Sequence, residues 1–225
     1  MANRQQVIFL TIFGLGLVAI GMFRWASFTS ERFVGLSEFP TILFVSWVAA
    51  FAFAMPRVGL SFRQLVLAGG FRIVPHVLLG AIAATMIVVL GDLLLPVWET
   101  LFNVPRDLAR FSTTTQSLPG LVLVLAFSWT FAAIGEELTF RGILMRGLIQ
   151  AQGGGTVAMI LILVAQALVF GLVHAYQGPA GMAGASISGL IFGAVVLMSK
   201  GSLWPAVFAH GFANSYGLIS LWLAS

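Results

Sequence analysis

Leu118–Ile134 reads LPGLVLVLAFSWTFAAI, and Gly135–Gly142, directly after it, reads GEELTFRG. The first run carries no charge, and its length falls within the roughly 17–25 residues of a membrane-spanning helix. The second sets Glu136, Glu137 and Arg141 hard against that run. Apolar runs of the same kind recur at Val7–Phe23, Pro40–Met55, Val74–Trp98, Thr156–Val173, Gly181–Ser199 and Leu203–Leu223. The first of these is too long for a signal-peptide core and has no clear small-residue cleavage site behind it. We read it as a true helix.

Composition agrees. Of 225 residues, 60% are hydrophobic and 8% charged, against about 45–50% and about 25% in a soluble domain. Too few charges remain to coat a soluble enzyme, and a disordered chain would be polar. The 25 Gly and 20 Phe suit close helix packing and lipid-facing aromatics. The fold class expected is all-α, a polytopic membrane bundle of about seven or eight transmembrane helices. The eighth would be a short helix between Glu137 and Ala151, unless the fourth span runs on through Glu136 to Met145. Residues 1–117 carry no recognised motif, whereas 118–225 hold the polar segments; both are read as one integral membrane domain. The expected location is an integral, multi-pass membrane protein, in the plasma membrane if the cell is prokaryotic.

The absence of Cys removes disulfides, thiol catalysis and Cys-based metal sites. The net charge of +4 comes from scattered Arg, with Lys200 the sole lysine. There is no basic stripe for nucleic acid, so membrane lipids and a protein or peptide are the expected partners. With a cytoplasmic N-terminus, Arg4, Arg57, Arg63, Arg72, Arg146 and Lys200 fall inside, and Arg24, Arg32, Arg106 and Arg110 outside. Trp25, Trp47, Trp98 and Trp204 read as interface anchors.

Ionisable groups within membrane helices cost about 2.5–3.5 kcal/mol each near the bilayer centre, so each is a functional candidate. Most of them fall in three segments. Glu137 and Arg141, four apart, share a helix face and can pair, while Glu136 lies about 100° round the axis. Adjacent carboxylates in a low dielectric cannot both ionise cheaply, so one should hold its proton more tightly and suit acid–base work. Phe170 and His174 share a face in the second segment, and His210 and Asn214 in the third. Gathered together, these groups satisfy one another; scattered, each would face lipid. Between the last two segments, Gly181, Ala185, Gly189 and Gly193 form a small-residue stripe that lets a neighbouring helix approach. Ser186 and Ser188 on that helix read as packing residues, and His76 as an interfacial, non-catalytic one.

A carboxylate and an imidazole can deprotonate one water, while a second imidazole and an amide N–H stabilise the oxyanion formed at a carbonyl. Alternatively, Glu136, His174 and His210 could hold a zinc ion with an open position. No His-Glu-x-x-His motif is present, and the residues leave both mechanisms open.

Glu136-Glu137-x-x-x-Arg141, Phe170-x-x-x-His174 and His210-x-x-x-Asn214, with Phe140-Arg141-Gly142 continuing the first motif, together resemble the CPBP family. These are the CAAX proteases and bacteriocin-processing enzymes, also called the ABI family. The resemblance covers about Leu118–Leu223. It implies an intramembrane endopeptidase, by extension one processing prenylated CAAX C-termini. Eukaryotic members remove the last three residues of such proteins. By the same resemblance Glu136 is the water-activating base with His174, His210 and Asn214 form the oxyanion site, and Glu137 and Arg141 organise it. Phe140 and Phe170 would meet the substrate. Family members have been described both as metalloproteases and as metal-free glutamate proteases. The alternative reading is a non-enzymatic membrane scaffold or bacteriocin-immunity protein of the same fold. A transporter or proton pathway would also use intramembrane Glu and His, but the inverted repeats of transporters are not visible.

Overall fold

Apolar runs without water to satisfy their backbone must close every hydrogen bond internally, which leaves the helix as the natural solution. The computed structural model describes residues 3–29, 39–66, 70–112 and 114–225. Seven long helices stand among them: α1 (Arg4–Thr29), α2 (Phe39–Ala54), α3 (Ile73–Phe102), α4 (Leu118–Ala151), α5 (Thr156–Val173), α6 (Gly178–Met198) and α7 (Trp204–Leu223). Six are long and apolar enough to cross a membrane. The exception is α7, which carries His210, Asn214, Ser215 and Ser220. The all-α polytopic bundle expected from the sequence is the fold observed, and the chain is an integral multi-pass membrane protein.

The expected short eighth helix does not exist as a separate element. α4 runs unbroken from Leu118 to Ala151, and Ser128–Arg146 within it is wound as a π-helix. Each N–H there reaches one residue further back than in an α-helix, so more residues fit in each turn. Glu136 and Glu137 therefore diverge by less than the 100° of an α-helix.

This long helix also resolves an apparent mismatch of depth. His174 caps the far end of α5, while Glu136 lies near the middle of α4. α4 has 34 residues and α5 only 18. The end of the short helix thus comes level with the middle of the long one. Gly153 (φ 81°) and Gly154 (φ 67°) make the tight turn that joins them, in the left-handed region that favours glycine.

Polar contacts tie the two ends of the bundle. At one end, Asn3 N–H donates to Ala151 O (2.8 Å), Gln6 donates to Val58 O (3.1 Å), and Ser202 Oγ donates to Gly70 O (3.0 Å). The Arg146 guanidinium meets the carbonyls of Gln64 and Leu65 there. At the other end, Arg24 donates to Val173 O (2.5 Å) and Arg106 to Gln177 Oε1 (2.8 and 2.6 Å). Arg146 and Arg24 thus lie at opposite ends, as their expected sides require; Arg32 and the Arg110 side chain lie outside the described residues.

One apolar cluster joins Leu10, Phe13 and Leu17 of α1 to Phe140, Phe170, Phe192 and Ala206 of the later helices. The small-residue stripe works as expected at two points. A Cβ on Gly189 would stand 3.1 Å from Ala167 Cα, and one on Gly193 would press on Leu163 and on Gln166 Nε2. α5 and α6 therefore touch nearly backbone to backbone. Ser186 Oγ and Ser188 Oγ donate to their own helix, at Met182 O (2.9 Å) and Gly184 O (3.1 Å). Trp47 is not an interface anchor: its indole N–H donates to Phe13 O (3.0 Å) and its ring covers Gly16. It fastens α2 to α1.

Candidate active site

Three helices bring the expected polar groups together. Glu137 and Arg141, one turn apart on α4, pair at 2.9 Å with both side chains fully buried. Removing a lone guanidinium from water costs several kcal/mol, so its surroundings must compensate. Arg141 also donates to Gly189 O (3.2 Å), and its Cζ lies 4.3 Å and 5.0 Å from the ring centroids of Phe170 and Phe192. Cation–π contacts of this kind grow stronger when desolvated. Glu137 Oε1 also accepts from His210 Nδ1 of α7 (2.9 Å). One carboxylate oxygen thus holds both a guanidinium and an imidazole in place.

Glu136 points elsewhere. Its Oε2 stands 3.8 Å from His174 Nε2 and 4.0 Å from His210 Nε2, and it has no hydrogen-bond partner although it is buried. The far nitrogen of each ring is already committed. His174 Nδ1 lies 2.7 Å from Phe170 O, and a carbonyl only accepts, so Nδ1 carries the proton. In the neutral ring, Nε2 then turns its lone pair toward Glu136. The imidazoles are stiffened by aromatic neighbours: Phe170 lies 4.6 Å from His174, and Phe192 stacks on His210 at 4.8 Å.

The two adjacent carboxylates need not compete, because Arg141 answers Glu137 while Glu136 faces two imidazoles. Gaps of 3.8 and 4.0 Å exceed a hydrogen bond, and polar groups that face one another without touching can be bridged by a water.

Asn214 sits one turn beyond His210 on α7, and its Nδ2 donates to Ser128 Oγ of α4 (3.0 Å). Phe140 and Phe170, expected at the substrate, are 0% and 2% exposed. They meet edge to face at 5.1 Å, so in this structure they pack the site from behind. His76 lies apart, accepting from Arg72 N–H (3.1 Å) at the start of α3.

Sequence reasoning missed two members. Gln166 of α5 is 1% exposed and donates to Gly189 O (3.0 Å), the same carbonyl that Arg141 reaches. Gln166 is the only polar side chain in α5 after Thr156, a signal that marks interhelical bonding. Gly189 had been read only as a packing residue; it also exposes the carbonyl that unites α4, α5 and α6.

The possible zinc set was Glu136, His174 and His210. Among the described residues, no group of three His, Cys, Asp or Glu is arranged to hold a metal ion. Tetrahedral ligands about 2.0–2.2 Å from zinc stand roughly 3.4 Å apart, closer than the 3.8 and 4.0 Å found here.

Comparison with protein families matches residues 118–216 to the type II CAAX prenyl endopeptidase Rce1-like family. The match begins where α4 begins and includes every polar residue of the site. No curated protein and no solved structure matches the chain. The matched family is one of CAAX prenyl endopeptidases, which supports an intramembrane endopeptidase in general.

Proposed function

Residues 118–216 match the Rce1-like type II CAAX prenyl endopeptidase family, and from that match we propose that this chain hydrolyses a peptide bond by a water activated between Glu136 and His174. The observation that carries the reading is the unpartnered Glu136 Oε2, facing both imidazole Nε2 atoms at 3.8 and 4.0 Å. The water donates one proton to Glu136 and its second hydrogen bond to the His174 Nε2 lone pair. It then attacks the scissile carbonyl.

The oxyanion that forms meets His210 and Asn214. His210 Nδ1–H is spent on Glu137, so donation through Nε2 requires the imidazolium. Glu136, Glu137, Arg141 and a protonated His210 sum to zero charge, a balance that suits a dry site. Asn214 uses one amide N–H on Ser128, and an amide nitrogen has two. The second N–H completes the oxyanion pair. Glu136 then returns its proton to the leaving amine. The substrate we propose is a C-terminal CAAX-type segment carrying a prenyl group, presented from the bilayer.

The test is cleavage of an S-farnesyl reporter peptide by the purified chain in nanodiscs. Glu136→Gln removes the base and keeps the shape. It should lower kcat by about 10²–10⁴-fold, the usual contribution of a general base, with the unfolding temperature unchanged. Cleavage by Glu136→Gln at the rate of the parent chain would overturn the reading.

A further inference from the structure

A groove of about 660 Å³ opens between α1, the end of α4 and α5, walled by Leu15 and Val18, by Leu144 and Leu148, and by Leu161 and Val169. Among the described residues its polar side chains are Thr11, Gln152 and Gln166 alone. Leu15 and Leu161 are exposed, so in a bilayer the groove meets hydrocarbon. Along α5 it extends from Val157 to Val169, roughly 18 Å at 1.5 Å per residue. One leaflet contributes about 15 Å to a hydrocarbon core of about 30 Å, so the groove is about one leaflet deep.

Its mouth at Gln152 lies where Asn3 N–H donates to Ala151 O (2.8 Å), which brings Arg4 to the same mouth. Arg4, Thr11, Leu15 and Val18 follow one another at spacings of seven, four and three, so Arg4 crowns the stripe of α1 that walls the groove. Arg57 and Arg146, at the same end, are bonded to carbonyls. Among the described residues, neither the Arg4 guanidinium nor the Gln152 amide has a protein partner. The described charges of this end are all cations: Arg4, Arg57, Arg63, Arg72, Arg146 and Lys200. The described acids lie inside α4 or from Asp92 of α3 onward to Asp107.

We propose that the groove seats one acyl chain of an anionic phospholipid, with the lipid phosphate bound by Arg4 and the Gln152 amide. A guanidinium fork matches a phosphate in charge and geometry, and basic protein ends face the leaflet that carries anionic lipid. A second copy seated here would add cations to an end that has no described acid to answer them. The groove stands apart from the hydrolytic groups. Its link to them is Gln166, whose Nε2 holds the Gly189 carbonyl that Arg141 also reaches. The lipid fastens α1 to α5 behind the site and takes no part in the chemistry.

The full chain, purified in detergent, is given phosphatidylglycerol or phosphatidylcholine with identical acyl chains. Native mass spectrometry reads the lipid retained per chain, and thermal unfolding reads its effect. One phosphatidylglycerol should be retained about fivefold or more tightly than phosphatidylcholine, the effect of roughly one basic residue at an anionic surface, and should raise the unfolding temperature more. Arg4→Gln should bring the two lipids to within about twofold. Arg72→Gln, at the same end but outside the groove, should keep the preference. Ala165→Phe fills the groove and should abolish retention of both lipids; Arg4→Gln, at an exposed helix start, decides the matter if Ala165→Phe does not fold. Equal retention by the parent chain would overturn the site, as would a preference that survives Arg4→Gln. Equal loss in Arg72→Gln would mark a diffuse basic surface instead. Full retention in Ala165→Phe would place the chain elsewhere. Displacement of the lipid by an S-farnesyl peptide would give the groove to the substrate, and a dimer lost in Ala165→Phe would give it to a second copy; either result overturns the lipid site.

Discussion

The front of the molecule (α1–α3) and the back (α4–α7) are built from similar apolar runs but held together differently. In α2 only 11% of the best spanning window is buried, against 39% in the span that contains α6. Phe53, Ile42, Leu78, Ile82 and Leu93 of the front present large apolar surfaces outward, as lipid permits. The back helices turn ionisable groups inward, with Arg141 and His210 both meeting Glu137 Oε1. Within a bilayer, apolar side chains gain little by leaving lipid for protein, so close packing and hydrogen bonds decide which helices adhere. The back half has both, including the fully buried Glu137–Arg141 pair. The front half packs closely too, at Gly21 of α1 against Leu172 and at Gly80 of α3 against Phe208, and adds fasteners such as Trp47 and Arg24.

That contrast predicts a ranking of effects, each measurable as a shift in thermal unfolding of the purified protein. Arg141→Met should be the most damaging, because it leaves Glu137 charged and buried beside His210 without its guanidinium. Breaking a buried pair in this way costs about 3–5 kcal/mol. A much smaller loss would mean that the back half does not depend on its ionic centre.

Gly193→Leu comes next. Its side chain would collide with Leu163, Gln166 and Met145, and overpacking of this kind costs about 1–3 kcal/mol. Gly91→Ala is the matching change in α3, where an added Cβ meets nothing within 4 Å. It should be harmless or slightly stabilising, since helical Gly is worse than Ala by about 0.8–1.0 kcal/mol. Equal losses at the two glycines would mean that close helix contact at Gly193 does not set the cost.

Trp47→Phe removes the hydrogen bond to Phe13 O, worth about 0.5–1.5 kcal/mol. It should loosen α2 while leaving cleavage of a reporter peptide nearly intact. Leu43→Ala, on the exposed face of α2, should change stability by about 0.5 kcal/mol or less.

The seven long helices were visible as seven apolar runs, because hydropathy is a local property and a spanning helix satisfies its own backbone. α4 was the ambiguous one. Glu136, Glu137 and Arg141 look like a boundary when read along the chain, since charges usually mark the end of a span. They do not end the helix here, because Arg141 pairs with Glu137 inside it and His210 bonds the same carboxylate. Trp47 was misread too. Trp47 stands mid-way along α2 rather than at a helix end, and the position of Phe13 O shows what its indole serves.

The candidate site shows the same division. Rarity alone marked Glu136, Glu137, Arg141, His174, His210 and Asn214, because polar groups in apolar helices carry a penalty that demands partners. The Glu137–Arg141 pair was legible from its four-residue spacing; the partners on other helices were not. That His210 joins Glu137, while Glu136 faces both imidazoles, depends on π winding in α4 and on the unequal lengths of α4 and α5. The shared carbonyl of Gly189 depends on α5 and α6 approaching nearly backbone to backbone.

The chain alone determined the class of fold and the short roster of reactive groups. Both follow from the free energy of placing each side chain in lipid, a quantity summed one residue at a time. The assembled structure decided which carboxylate is held and which is left to work, and brought Arg24 of α1 onto the Val173 carbonyl, next to His174. Those are distances between helices far apart in sequence, and they are set by packing of small residues, helix winding and helix length acting together.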